Sequence, residues 1–126
     1  MTLAERLARY STELKYETLP PEAVHEAKRR IIDSIACAFG AWRSETAQQV
    51  RAVATQVSST HGATILSTGH KASPDWAAFA NGLLIRYLDY NDTYLSKEPA
   101  HPSDNLAAVL AVAEAEGSTG KETLSA

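Results

Sequence analysis

Asn81 to Asn105 reads NGLLIRYLDYNDTYLSKEPAHPSDN, and how this stretch is read decides the fold. As far as Leu88 it continues the three- and four-residue apolar spacing of a helix that starts upstream. Asp89-Tyr90-Asn91-Asp92-Thr93 then breaks the pattern, and Pro102-Ser103 restarts a helix with proline in its first turn. The spacing therefore predicts a loop hung between two helix ends. It holds Asp89, Asp92, Thr93 and His101: two carboxylates, a hydroxyl and an imidazole within thirteen residues. Loops fixed by rigid elements are where binding and catalytic groups collect.

Upstream, the chain punctuates itself as a row of helices. Thr2 and Glu5 have capping-box spacing, and Leu3, Leu7, Tyr10 and Leu14 follow as one stripe. Leu19-Pro20-Pro21 stops that helix and Pro21 opens the next, whose stripe is Val24, Ala27, Ile31, Ile35 and Ala38, with Gly40 as C-cap. A third helix is predicted from near Ser44 to His61-Gly62, followed by one short strand or extended connector at Ala63–Ser67. Ser73-Pro74-Asp75 supplies a capping hydroxyl, a proline and a first-turn acid for helix four, with Trp76, Ala80, Leu83, Leu84 and Tyr87 as its buried stripe.

Downstream, helix five runs from Pro102 or Ser103 to Gly117, with Leu106, Val109, Leu110 and Ala113 inward. Thr119 to Glu122 repeats the capping-box spacing and begins a sixth helix that the remaining residues leave short. The expected class is all-α: five main helices and a cut sixth, residues 1–126 forming the first part of a larger helical domain. With 22 alanines among 126 residues the stripes are thin. The large side chains Trp42, Trp76, Phe39, Phe79, Leu83 and Leu110 are expected to anchor the core. Stripes left without cover call for a second copy of the chain, or for a complementing C-terminal chain.

Composition excludes several classes. A net charge of −3 does not suit non-specific nucleic-acid binding, which needs a basic face. No apolar run reaches the roughly twenty residues of a membrane span. MTLAERLARY lacks the apolar segment of a secretory signal, and the lone Cys37 fits a reducing compartment, so the cytoplasm is expected. The start Asp89-x-Asn91-x-Thr93 looks like a calcium loop, but Tyr94 and Ala100 stand where glycine and glutamate are required. No zinc spacing, phosphate loop or dinucleotide fingerprint occurs, so no metal or cofactor is expected.

The candidate chemistry centres on His101, a general acid–base at neutral pH beside a helix N-terminus, or else a residue that fixes the turn. Asp89 would orient that imidazole, or stand as a solvated helix-end aspartate. Asp92 suits a local turn as well as a catalytic role. Thr93 suits a substrate carboxylate or the loop's own backbone. Arg86 suits carboxylate recognition or pairing with Asp89 or Asp92. From Arg86 to His101 three acids face two bases, a poor balance for a polyanion, so further cations must come from elsewhere. Cys37, among Ala36, Ala38 and Phe39, reads as a small buried hydrophobe, and His25, His61 and His70 as structural or solvated.

NG-x₃-R-x-LD-x-x-DT followed by HPS and an Ala/Leu helix resembles the MmgE/PrpD family of 2-methylcitrate dehydratases and cis-aconitate decarboxylases. IIDSIACAFG, SPDWAAFANG and GSTGKE extend the resemblance over nearly the whole chain. It implies the N-terminal part of a helical domain, a citrate-like carboxylate substrate, and elimination without metal or organic cofactor. It places Asp89, Thr93 and His101 in the active site, with Asp92 in the same motif; Asp92 and Arg86 are the expected substrate contacts. LSKEP reads as a small insertion in the family pattern, and Asn91 stands where an aspartate is common. Within the family the alternatives are a decarboxylase or an epimerase. Outside enzymes, the alternative is a non-catalytic helical module that dimerises or completes a partner.

Overall fold

Thr2 and Glu5 close their capping box: the Thr2 N–H donates to the Glu5 carboxylate at 2.6 Å, and the Glu5 N–H to the Thr2 hydroxyl at 3.2 Å. Helix α1 (Leu3–Glu13) follows, yet buries no residue, and its stripe of Leu3, Leu7 and Tyr10 faces solvent. The computed structural model describes all 126 residues, and they form a mainly helical chain. After a 3-10 turn at Tyr16–Thr18 come α2 (Pro21–Ala41) and α3 (Glu45–Ala54). A two-stranded antiparallel ribbon, β1 (Ala63–Thr64) with β2 (Lys71–Ala72), precedes α4 (Pro74–Arg86). A second 3-10 turn at Pro102–Asn105 leads into α5 (Leu106–Ala115), and α6 (Gly120–Ser125) ends the chain. No helix is long and apolar enough to cross a membrane.

Helix α4 is the hub, packed on α2, α3 and α5. It does so with small side chains. One cluster joins Ala38 and Ala41 of α2, Ala47 of α3, Leu84 and Ile85 of α4, and Ala107 of α5. A second joins Ala54, Ile65, Ala72 and Ala80, and a third joins Ala63, Ala77 and Ala111. Alanine at these contacts lets helix axes approach closely, while each residue removes little apolar area from water. Total accessible surface is 8331 Å². A compact monomer of this mass would expose roughly 6,600 Å². The chain is open for its size.

Several details depart from the sequence expectation. The expected aromatic anchors do not anchor: Phe39 and Phe79 are more than half exposed, and Trp42, Trp76, Leu83 and Leu110 only half-buried. The buried stripe of α4 is Ala77, Ala80, Asn81, Leu84 and Ile85, so Tyr87 lies outside it. Gly40 sits inside the last turn of α2 rather than capping it, where a Cβ would come within 2.9 Å of the Leu88 side chain. The Ser73 hydroxyl accepts no capping hydrogen bond.

Helix α3 stops at Ala54, well before His61-Gly62. The chain beyond it is taken by the ribbon: the Ser59 N–H donates to the Lys71 carbonyl at 3.1 Å, and His70 Nε2 bonds the Val57 carbonyl at 3.0 Å. Gly62 is needed for that approach, since a Cβ there would lie 2.0 Å from the Ala72 carbonyl oxygen. The predicted lone strand at Ala63–Ser67 is thus half of a hairpin whose partner, Lys71–Ala72, is too short to show a pattern.

Two polar ties bind the ribbon to the helices. Buried Asn81 accepts from the Leu66 N–H and donates to the Thr64 carbonyl, both at 2.9 Å. Glu114 of α5 accepts from the Thr64 N–H and hydroxyl, both at 2.6 Å, and pairs with Lys71 at 3.2 Å. The second capping box forms as read, between Thr119 and Glu122.

Candidate functional site

The loop from Tyr87 to His101 leaves α4 through Asp89, whose φ of 49° is left-handed. Aspartate tolerates that region better than most residues, and here it turns the chain out of the helix. The Asp89 carboxylate is exposed and pairs with Arg86 at 3.0 Å. Next, buried Asn91 accepts from Arg86 at 2.5 Å and donates to the Ser103 hydroxyl at 2.6 Å. Asp92 carries a side chain only 7% exposed. One of its oxygens is ion-paired with Arg30 of α2, and the other accepts the Ser103 N–H at 3.1 Å. Residues 91 and 92 thereby pin the loop to two other elements.

His101 closes the loop. Tyr94 and Ala100 form an antiparallel bridge, N–H to carbonyl in both directions at 2.8 and 3.1 Å. The five residues LSKEP are looped out as its tip, so the insertion does not carry His101 away. The imidazole returns to the motif, with Nδ1 2.7 Å from the Asp92 carbonyl oxygen. A carbonyl only accepts, so Nδ1 must carry the hydrogen. In neutral His101 the free lone pair is then on Nε2.

The structure thus gathers His101 and Asp92, but Asp89 faces Arg86 and makes no contact with the imidazole. Thr93 is exposed on the loop. Arg86 is engaged three ways, by Asp89, Asn91 and Asp104, the last at 3.1 Å. Arg30 divides itself between Asp92 and Glu26, the latter at 3.0 Å. Sequence reasoning missed Arg30, which stands 62 residues from its partner with no local spacing to betray it. Cys37 is buried, and burial pushes its thiol above the usual range, as expected of a packing residue.

Burial pushes the Asp92 carboxyl up, but hydrogen bonds from Ser103 and Arg30 outweigh it and leave the pKa below the ordinary value. A carboxyl depressed in the folded state stabilises fully above its unfolded pKa, near about 3.9. That contribution is lost as pH falls through the lower folded value. Thermal melts from about pH 5 to about pH 2.5 should therefore fall more steeply for the native chain than for Asp92→Asn. Parallel curves would show that Asp92 does not lock the loop.

The largest cavity, about 520 Å³, lies elsewhere, between α2, α4, α5 and α6, with Ile31, Ile35, Leu110 and Leu124 among its walls. None of Asp89, Asp92, Thr93 or His101 lines it. A smaller cavity of about 190 Å³ shares Arg30 and Ser103 with the loop. The candidate residues therefore lie on the loop, outside the largest hollow.

Comparison with known proteins agrees with the motif. The MmgE/PrpD N-terminal domain matches residues 5–126. A probable 2-methylcitrate dehydratase of Saccharomyces cerevisiae is 39% identical over 93 residues, covering 73% of this chain and 18% of the relative. The 2-methylcitrate dehydratase of Cupriavidus necator is 35% identical over 101 residues, covering 79% of this chain and 21% of its own. That of Salmonella typhimurium is 32% identical over 102 residues, with 80% and 21% covered. The chain spans about a fifth of the length of these relatives. With nearly every residue inside the family's N-terminal domain, the chain belongs to the MmgE/PrpD family.

Proposed function

We propose that this chain supplies the acid–base loop of a cofactor-free dehydratase acting on citrate-like carboxylic acids, of the 2-methylcitrate dehydratase type. The observation that carries this reading is the locked His101, whose Nε2 lone pair is left unprotonated in the neutral form. In such an elimination a base removes a proton from the carbon next to a carboxylate, and hydroxide leaves as water after accepting a proton. His101 takes the first role. Thr93, exposed on the same loop, offers a hydroxyl to a substrate carboxylate. Asp89 and Arg86 are paired with each other, with the Asp89 carboxylate still open to solvent.

The cations available here are few. Arg30 and Arg86 are committed to Asp92, Glu26, Asp89 and Asp104, which leaves exposed Lys97 at the loop tip as the one cation of the segment without an ion pair, too few for three carboxylates. A tricarboxylate thus needs positive groups from outside these 126 residues, and the chain alone is expected to turn over neither 2-methylcitrate nor cis-aconitate. The decisive assay places this segment in the Salmonella typhimurium relative, replacing its matching residues. Dehydration of 2-methylcitrate by the graft supports the reading. Full activity from the chain alone would overturn the need for outside cations, and turnover of cis-aconitate alone would move the assignment to a decarboxylase.

The cytoplasmic assignment stays with this proposal, as does association. The uncovered stripe of α1, together with Ile32, Phe39 and Phe79, leaves apolar surface that a second copy or a complementing chain would cover. Sedimentation velocity should show a dimer or larger species. A monomer at micromolar concentration would count against self-association.

A further inference from the structure

We propose that Arg30 of α2 is a positioning residue for His101, acting through Asp92 to hold the imidazole in its Nδ1–H form with Nε2 free. That role rests on His101 being the acid–base group. The chain of contacts is continuous. The Arg30 guanidinium grips one Asp92 oxygen while the Ser103 N–H holds the other. The Asp92 side chain is thus fixed at both oxygens, and its backbone with it. The carbonyl of this same residue takes the His101 Nδ1 hydrogen. The Tyr94–Ala100 bridge prevents the loop from drifting between the two.

Without the guanidinium, Asp92 would keep a buried carboxylate with no cation, a costly arrangement that favours movement toward water. The carbonyl would move with it, and His101 would lose the acceptor that selects its tautomer. Free imidazole side chains favour the opposite form, with hydrogen on Nε2, so the locked tautomer has to be imposed. Glu26 also contacts Arg30, and hydrogen bonds from Arg29 hold its carboxyl at about 2, so it stays charged and braces the guanidinium from the solvent side. Lysine could neutralise Asp92 as a point charge but cannot fork between two carboxylates.

Nitrogen-15 NMR of the chain labelled at histidine, at about pH 8.5 where an ordinary histidine is neutral, reads the tautomer directly. The native chain should show a pyrrole-like Nδ1 and a pyridine-like Nε2 at His101. In Arg30→Gln, with helix content checked by circular dichroism, that single form should be lost to a mixture dominated by Nε2–H. Arg30→Lys should restore the native form in part, and Glu26→Gln, which removes the brace but leaves the Arg30–Asp92 pair, should disturb it less than Arg30→Gln does. In the grafted dehydratase, Arg30→Gln should lower kcat about 100-fold with little change in KM, the scale of a misplaced reacting group. An Nε2–H tautomer in the native chain, or a native tautomer retained in Arg30→Gln, overturns the role of Arg30. If instead His101→Ala leaves the graft's kcat unchanged while the tautomer responds to Arg30, the coupling stands and the acid–base assignment falls.

Discussion

Replacing His101 by alanine is expected to lower kcat for 2-methylcitrate about 100- to 10,000-fold in the grafted dehydratase, the range of a lost general acid–base. The loss should fall on kcat more than on KM, because the imidazole moves a proton in the transition state and need not bind the ground state. The geometry supports an effect toward the upper end. His101 is held between a bridge at Ala100 and a helix start at Pro102, so the chain fixes where the imidazole sits. Cys37→Ser is the matched control: the thiol is buried in α2 and should leave kcat essentially unchanged. Steady-state kinetics on the three proteins decides the matter. A His101 variant with native kcat would remove that residue from the mechanism.

The largest effect on stability is expected from Asn81→Leu. Leucine has the branched shape of asparagine, with somewhat more bulk, but answers neither the Leu66 N–H nor the Thr64 carbonyl. Each buried group left unpaired costs about 1–3 kcal/mol, so the variant should lose about 2–6 kcal/mol. Asn81 also lines the 520 Å³ cavity, and water entering from there sets the lower end of that range. Against a total stability of about 5–15 kcal/mol this is severe, with a fall in Tm of at least about 8 °C. Thermal denaturation followed by circular dichroism measures it. A fall of a degree or two would mean that Asn81 does not tie α4 to the ribbon.

These two residues lie inside the stretch the sequence singled out, and they differ in how legible they were. His101 announced itself because its neighbours, Pro102 and Ser103, are local signals of a helix start. The two capping boxes were legible for the same reason, being bonds between residues three apart. Asn81 looked like one more helical position, since its partners at Thr64 and Leu66 lie across a ribbon that no periodicity foretold. Arg30 was hidden in the same way, by sequence distance from Asp92. The core was misjudged for a different reason. Hydrophobic spacing gives weight to large side chains, and the pattern therefore favoured Phe39 and Phe79. The chain buries Ala41, Ala47, Ala54 and Ala80 instead, and alanine is so common in helices that its position on one face carries almost no signal.

That alanine core governs how the chain responds to temperature and denaturant. Heat capacity of unfolding grows with the apolar surface newly exposed, and the denaturant slope with the total surface newly exposed. A protein whose folded form already shows 8331 Å² to water has less left to reveal. Its stability curve should therefore be flatter, and its urea transition broader, than those of a compact chain of the same mass.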